Sequence, residues 1–353
     1  MVNLTSCLEK AVNANASDVF IIAGTPVCAR VDGELQTVSE ERLLPADTEA
    51  LIKEMYAQAH RPQDKIYAEG DDDFSFAIGG LARFRVNTYR QRGSMAAVIR
   101  VVCFNIPDWR SENIPQAVIE LSKVRHGMIL VTGTAGSGKS TTQACIVNEI
   151  NKTRSCHIIT IEDPIEYLHR NQKSIVSQRE IAIDTGDCLT ALRACLRQAP
   201  DVIQLGELRD LETIRTAMTA AETGHLLFAT LHTRGAVNSI DRIVDTFPAD
   251  QQDQIRMQLS SVLHTVVSQQ LLPTADGKGR IPAFEIMHMT SAVRSMIRDC
   301  KTHQIANAIS SGAADGMISM DQSIYQLYRQ GKITAETALV NADNPEQMKR
   351  RIE

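Results

Sequence analysis

The stretch Met128-Ile129-Leu130-Val131-Thr132 is followed at once by Gly133-Thr134-Ala135-Gly136-Ser137-Gly138-Lys139-Ser140. An apolar run therefore ends at a glycine, continues as G-x-x-x-x-G-K-S, and leads into residues that can start a helix. This is the P-loop pattern, and it lies in the expected order of strand, loop and helix. The sequence thus predicts a binding site for the phosphates of a nucleoside triphosphate.

The negative charge of the phosphates explains these residue types. Glycines have no Cβ, so the loop can adopt unusual dihedral angles and bring its amides close to an anion. The helix that begins near Lys139 adds the positive end of its dipole, and the lysine adds a point charge. The Ser140 hydroxyl suits Mg²⁺. We expect the nucleotide to contact Gly133, Thr134, Ala135, Gly136, Ser137, Gly138, Lys139, Ser140 and Thr141.

Length and composition limit the possible classes of protein. The chain has 353 residues, of which 43% are hydrophobic, and this is enough for two domains with their own cores. Its net charge of −5 gives no basic field that would attract nucleic acid. The sequence contains no run of about 18 apolar residues, the length that would predict a membrane span. The N-terminus lacks the features of a signal peptide, so we expect a cytoplasmic protein.

The predicted organisation is an α+β domain over residues 1–103, a linker over 104–113, and a nucleotide-binding domain with a C-terminal helical subdomain over 114–353. The linker is placed where Pro107 interrupts a stretch with little periodicity. Beyond it, apolar strands alternate with helices, which indicates a doubly wound, mostly parallel sheet of the RecA-like α/β class. Residues 249–272 are predicted to form one long helix.

Arginines on neighbouring strands are the notable feature of the first domain. In strand 81–89 the period of two places Arg83 and Arg85 on one face, and Arg100 lies on the following strand. A solvated surface is the usual environment of such a row. The alternative is that these side chains reach a phosphate across an interface, as arginine fingers do.

Polar residues follow three other apolar strands of the second domain. Ligands of open parallel sheets bind beyond the carboxyl ends of the strands, so these residues are candidates for chemistry. We expect Glu207 to hold Mg²⁺ together with Ser140, and Glu166 to position the attacking water. His232 and His225 are candidates for sensing the γ-phosphate, and the alternative for His225 is a histidine satisfied within the core.

Four stretches of the sequence resemble the Walker A, Asp box, Walker B and His box of secretion ATPases. Within that superfamily, the chain resembles the PilT-type retraction ATPases of type IV pili. The similarity extends over nearly the whole chain. It is carried by residues 133–140, 161–166, 206–215, 219–233, 15–18, 30–33, 81–87 and 240–249. The extension and type II secretion branch typically carries paired C-x-x-C zinc motifs, and their absence here argues against that branch.

The resemblance implies a homohexameric ring in which a PAS-like N-terminal domain packs on the neighbouring subunit and ATP with Mg²⁺ lies at the interface. It implies catalytic roles for Lys139, Glu166, Glu207, His225, His232, Arg83, Arg85 and Arg100. It also implies peripheral association with an inner-membrane pilus platform protein, a possible paralogous retraction ATPase as partner, and no membrane insertion. Hydrolysis would drive pilus retraction and twitching motility.

Two other functions stay open at this point. One is a paralogous secretion or conjugation ATPase, or a weakly hydrolysing accessory ring that supports a partner motor. The other is a DNA-handling RecA-like enzyme, against which the negative charge and the lack of a basic, aromatic-rich segment argue.

Overall fold

The computed structural model describes residues 2–31, 33–102 and 106–353. The chain forms two compact units, one of Met1–Asn105 with Glu166–Leu168 and one of Ile106–Ile165 with His169–Glu353. Asp32, which belongs to one of the family-like stretches, and residues 103–105 at the predicted domain boundary lie outside the described residues.

The first unit is an α+β structure. Its described strands form an antiparallel sheet in the order β3-β2-β1-β6-β5-β4. The elements are α1 Leu4–Asn13, β1 Asp18–Ile21, β2 Cys28–Val31, β3 Glu34–Thr37, α2 Pro45–Gln58, α3 Asp64–Glu69, β4 Asp71–Ile78, β5 Ala82–Gln91 and β6 Ser94–Val102.

Alternation along β5 explains where the arginines of this unit lie. Phe84 and Val86 are fully buried in the core, whereas Arg83 and Arg85, which alternate with them along the strand, point to the other face and are half-buried. Arg85 pairs with Arg100 across the two antiparallel strands. The face opposite the core therefore carries the predicted arginine row.

One carboxylate offsets part of the positive charge on this face. The exposed Arg100 donates from Nε to Asp18 Oδ1 at 3.3 Å, and the Nε atom of Arg30 lies 3.9 Å from the other oxygen of Asp18. Like charges on paired strands repel each other, so this carboxylate stabilises the arrangement.

The second unit is built around a mostly parallel sheet with the strand order β13-β12-β7-β11-β10-β8-β9 within the described residues. Its first elements are α4 Gln116–Ile119, a 3₁₀ turn Glu120–Lys123, β7 Gly127–Thr132, α5 Lys139–Thr153, β8 His157–Glu162, β9 Ile175–Glu180, α6 Cys188–Cys195, β10 Val202–Leu205, α7 Leu211–Glu222 and β11 Leu226–Leu231. They are followed by α8 Ala236–Asp245, α9 Gln252–Val262, β12 Leu263–Pro273, β13 Arg280–His288, α10 Ser291–Arg298, 3₁₀ turn Thr302–Gln304, α11 Ile305–Ser311, 3₁₀ turn Ala313–Asp315, α12 Met320–Arg329, α13 Ala335–Asn341 and α14 Pro345–Ile352.

Burial on both faces explains the continuous apolar strands. Every residue of β7, β10 and β11 is buried, as expected of parallel strands covered by helices on both sides. Residues 106–113, predicted to be a linker, belong to this second unit. Ile106 and Trp109 pack on its core, and the Cys145 thiol donates to the Pro107 carbonyl at 3.4 Å.

The long helix predicted over residues 249–272 is wrong. The helix α9 ends at Val262, and the chain continues as β12, which pairs in parallel with β7 and antiparallel with β13. Consecutive residues of β12 are buried on both faces because the strand lies inside the sheet, so the sequence shows no period of two that would distinguish a strand from a buried helix. Pairing of β12 with β7 places Ser268 and Gln269 beside the P-loop strand.

The C-terminal part of the second unit is mainly helical, as predicted. Helix α12 begins with a capping box in which the Ser319 hydroxyl accepts from the Gln322 amide. Among the described residues, no helix combines the length and the apolar character that crossing a membrane requires. The predicted α/β class with its parallel sheet is confirmed.

Candidate nucleotide site

The P-loop lies at the carboxyl end of β7 and leads directly into α5. Gly138, the residue before the helix, has a φ of 89°, in the left-handed region that favours glycine. Gly133 has a φ of 144°, and a Cβ there would lie 2.3 Å from the carbonyl oxygen of Gln269. The loop path thus depends on glycine at both positions.

Strand β12 supports the loop from the side. The Thr142 hydroxyl on α5 donates to Gln269 Oε1 at 2.7 Å, and both residues are buried. A Cβ on Gly138 would lie 2.8 Å from the Nε2 atom of Gln269. Gln269 therefore holds the loop and its helix against the sheet. The sequence interpretation missed this residue because it placed Gln269 in a helix.

Lys139 is the first residue of α5, and its side chain contacts the P-loop. Its buried ammonium group donates to the carbonyl oxygens of Gly133 and Thr134, each at 2.9 Å, and its Nζ lies 3.4 Å from His232 Nδ1. The lysine ammonium has three donors, and a bound phosphate could take the place of a carbonyl oxygen as acceptor.

Glu207 is positioned by the strands on either side of its own. Beyond the end of β10, the Gly206 amide donates to the Ile161 carbonyl of β8 at 2.8 Å, and the Leu208 amide donates to the Thr230 carbonyl of β11 at 3.0 Å. The Thr230 hydroxyl also donates to the Gly206 carbonyl. These bonds fix the turn that carries the Glu207 carboxylate.

The carboxylate of Glu207 joins the same cluster as the lysine. Its Oε2 atom lies 3.5 Å from His232 Nε2 and accepts from Arg209 Nε at 2.7 Å. This hydrogen bond is the main cause that raises the pKa of the Arg209 guanidinium. Arg209 also lies 3.9 Å from Asp163. His232 thus bridges the P-loop lysine and the acid after β10.

The structure does not bring His225 to this cluster. Parallel pairing places Leu226 beside Gly127 and Leu231 beside Thr132, so His225 lies at the amino end of the sheet. At about 3.3 Å per residue, it is about 20 Å from the carboxyl end. Its Nδ1 atom lies 2.9 Å from the Ala220 carbonyl oxygen. His225 therefore does not lie near the P-loop of its own chain, and its role toward the γ-phosphate stays a prediction.

The acids at the end of β8 and in the loop after it differ in their environment. Glu162 is buried, and its Oε1 atom accepts from the Thr160 hydroxyl at 2.5 Å and from the Gln178 amide at 3.1 Å. Glu166 is exposed in the loop that follows, in the short segment that groups with the first unit. Arg83, Arg85 and Arg100 lie on the sheet of the first unit, so the catalytic roles of Glu166 and the arginines stay predictions.

The donor set fits a magnesium nucleotide. Oxygen ligands are what Mg²⁺ prefers, and the hydroxyl of Ser140 at the start of α5 and the carboxylate of Glu207 offer such atoms. The Ser137 hydroxyl inside the loop is buried and has no hydrogen-bond partner among the described residues. A loop with free donors, a lysine and a helix N-terminus is suited to bind phosphate.

The fold and this cluster define a P-loop nucleotide-binding protein. A family model described as "Type II/IV secretion system protein" matches residues 2–342, more than nine-tenths of the chain. The chain belongs to this family, and the predicted family resemblance is confirmed.

Three proteins of known name are similar in sequence to most of this chain. The chain is 42% identical over 344 residues to a Pseudomonas aeruginosa protein named type IV pilus retraction ATPase PilT, covering 98% of this chain and 99% of that one. It is also 42% identical to the twitching motility protein of Neisseria gonorrhoeae over 96% of this chain and 89% of the other. The relative in Escherichia coli named YggR is 39% identical over 331 residues.

Solved structures agree with these sequence relatives. A crystal structure titled as the pilus retraction motor PilT with bound ADP superposes with a TM-score of 0.89 at 44% identity, covering 99% of this chain and 100% of that chain. The Legionella pneumophila ATPase DotB superposes with a TM-score of 0.79 at 28% identity over 95% of this chain and 93% of that chain.

Proposed function

We propose that this chain is the ATP-hydrolysing motor of type IV pilus retraction, working as a homohexameric ring at the cytoplasmic side of the pilus machinery. The observation that carries the proposal is the contact series from Lys139 through His232 to Glu207 at the carboxyl end of the sheet. The names of the relatives from Pseudomonas aeruginosa and Neisseria gonorrhoeae support the retraction role over a secretion role.

The proposed reaction follows from the positions of these groups. The P-loop amides and Lys139 bind the β- and γ-phosphates, and Ser140 with Glu207 would hold Mg²⁺, which withdraws charge from the phosphate oxygens when bound. His232 contacts both the lysine and the acid, so it is suited to respond to the presence of the γ-phosphate. Glu166 is our candidate for holding the attacking water.

Phosphate release by the purified protein tests hydrolysis. Wild type should release phosphate from Mg-ATP well above a Lys139→Ala control, because the variant lacks the charge that compensates the phosphates. Equal rates for the two proteins would rule out a motor. Nucleotide-dependent ring formation with negligible release would support the accessory-ring function instead.

The arginine row tests whether a neighbouring subunit completes the site. Arg85→Ala and Arg100→Ala should keep ATP binding but lower turnover by about 10³-fold, the effect of losing an arginine finger. Arg90→Ala is the matched control, because Arg90 lies on the same strand but alternates to the other face. Unchanged turnover in all three variants would assign the row to an ordinary surface.

The direction of the motor is tested in cells. Deleting the gene should leave surface pili assembled and abolish twitching, since pili would be extended but not withdrawn. Loss of pili on deletion would assign the chain to extension, and unchanged motility would assign it to another system or to an accessory ring.

A further inference from the structure

A buried carboxylate connects the cluster around His232 to the C-terminal helices. Glu285 lies on β13 and is 8% exposed. Its Oε1 atom accepts from the Ala236 amide, the first residue of α8, at 2.8 Å, and its Oε2 atom accepts from the Met320 amide, the first residue of α12, at 3.4 Å. One side chain therefore caps two helices that are 84 residues apart in the sequence.

The first of these helices follows directly from the nucleotide cluster. Residues 232–235 form the connection between β11 and α8, and the connection begins at His232, which contacts Lys139 and Glu207. It ends at Gly235, whose amide donates to the Ser268 hydroxyl of β12 at 2.9 Å. Ser268 pairs with Glu285 across the antiparallel strands. The first residue of the connection thus contacts the nucleotide site, and its last residue is hydrogen-bonded to β12.

Helix α8 has no side chain of its own at the cap position, because its N-cap residue is Gly235. The unpaired amides at a helix N-terminus need an acceptor, and a carboxylate there also interacts favourably with the helix dipole. Glu285 supplies this acceptor for α8 from a distant strand. Helix α12 has its own cap in Ser319, so its bond to Glu285 is additional to that cap.

The surroundings of Glu285 make the burial of its carboxylate costly. Burial raises the pKa of its carboxyl, the two amides oppose that rise, and Asp343 and Asp321 add to it. An apolar side chain on β13 would avoid this cost but would leave the Ala236 amide without its acceptor. A carboxylate with two separate oxygens, in contrast, can hold two helix ends at once.

We propose that Glu285 is a positioning residue that couples the N-terminus of α8 to the N-terminus of α12. When nucleotide binding changes the 232–235 connection, α8 shifts, and Glu285 transmits that shift to α12. The inference rests on nucleotide binding at the P-loop, as proposed above. A shift of α8 changes one of the two hydrogen bonds of a single rigid carboxylate, so the N-terminus of α12 responds to it.

Hydrogen exchange of the full-length protein tests the coupling. A non-hydrolysable ATP analogue with Mg²⁺ should slow amide exchange at residues 236–240 and at residues 320–324 in wild type, with at least about a fivefold effect at the second segment, the lower end of typical coupling. In Glu285→Gln, which keeps the size but replaces one oxygen with an amide NH2 group that cannot accept from a helix N–H, the response at 236–240 should persist. The response at 320–324 should fall below about twofold.

Ser319→Ala is the matched control, because it weakens the N-terminus of the same helix without a contact to α8. It should speed exchange at 320–324 in all conditions but keep the fold-change caused by the analogue. Equal loss of the response in both variants would show a merely structural role and overturn the proposal. A full response in Glu285→Gln, or none at 320–324 in wild type, would overturn it as well.

The same experiment separates this inference from the proposed function. Hydrogen exchange depends on nucleotide binding and not on turnover. If wild type does not hydrolyse ATP but shows the analogue response at both 236–240 and 320–324, and Glu285→Gln loses it at 320–324, the motor function is contradicted and the coupling through Glu285 is supported. Conversely, wild type that hydrolyses ATP while Glu285→Gln keeps the full response at 320–324 would support the motor and contradict the coupling.

Discussion

The two ends of the parallel sheet in the second unit consist of the same strands but carry different chemistry. At the carboxyl end, β7 opens into the P-loop, where Lys139, His232 and Glu207 form one contact series. At the amino end, His225 contacts the backbone and hydroxyl of its own helix–strand connection. Because all parallel strands end at the same edge, chain direction decides which polar residues can meet the phosphates.

Gly127, the first residue of β7, and Gly133, which directly follows its last residue, each lie close to a carbonyl oxygen, and this makes them a matched pair. Gly133→Ala places a Cβ 2.3 Å from the Gln269 oxygen and displaces the P-loop, whereas Gly127→Ala places one 2.9 Å from the Val262 oxygen at the far end. We expect Gly133→Ala to weaken ATP binding by about 10³-fold, equal to about 4 kcal/mol.

Gly127→Ala should lower the free energy of unfolding but leave the ATP affinity of the folded protein nearly unchanged. Isothermal titration with an ATP analogue, together with denaturant unfolding, measures both quantities. If the two variants lose ATP affinity equally, the contrast between the ends of the sheet is broken.

The two histidines give the next largest expected difference. His232→Asn should lower turnover by about 10²-fold, the typical cost of removing one group that stabilises developing charge. His225→Asn should change turnover less than about threefold, because it lies about 20 Å from the P-loop of its own chain. Steady-state phosphate release at saturating ATP measures both variants. A large loss with His225→Asn would indicate that the amino end contributes to a neighbouring subunit's site.

His169, in the loop that leads to β9, predicts a pH effect on stability. Burial lowers the pKa of His169 to about 4, so its neutral form is favoured in the folded state. The unfolded state takes up the proton near pH 6.5 and the folded state only near its lower pKa. Stability is therefore lost as the pH falls through this window, by about 2 kcal/mol between about pH 7.5 and pH 5.

Denaturant unfolding at several pH values measures this loss. In His169→Gln the pH dependence should become shallower, while His303→Gln, which removes an exposed histidine, should leave it unchanged. An identical pH dependence in wild type and His169→Gln would show that the histidine is not protected in the folded protein.

The smallest expected effect concerns the support of the P-loop by β12. Thr142→Val removes the hydroxyl that donates to Gln269 Oε1 and leaves that buried oxygen without its donor. We expect a loss of about 1–2 kcal/mol in the free energy of unfolding, with a modest loss of ATP affinity. Thr153→Val is the control, because this hydroxyl on the same helix is exposed and bonds only within the helix.

Sequence patterns predicted most of the strands in the second unit, since each is a short apolar run bounded by polar residues. They also predicted Lys139, in the P-loop motif, and Glu207 and His232, just beyond strand ends, and the structure brings these three together. The helix predicted over 249–272 failed because β12 is buried on both faces and thus shows no period of two. Gln269 was missed for the same reason, although the β-branched run Thr265-Val266-Val267 could have signalled a strand.

The sequence by itself determined the loop that binds phosphate, because glycine spacing, a lysine and a following helix are local features of consecutive residues. It also determined the alternation that places the arginines of β5 on one face. Only the tertiary structure decided that His225 lies far from the P-loop, that Gln269 supports it, and that Glu285 joins α8 to α12. These facts depend on the order and register of the strands, which arise from packing between segments distant in the chain.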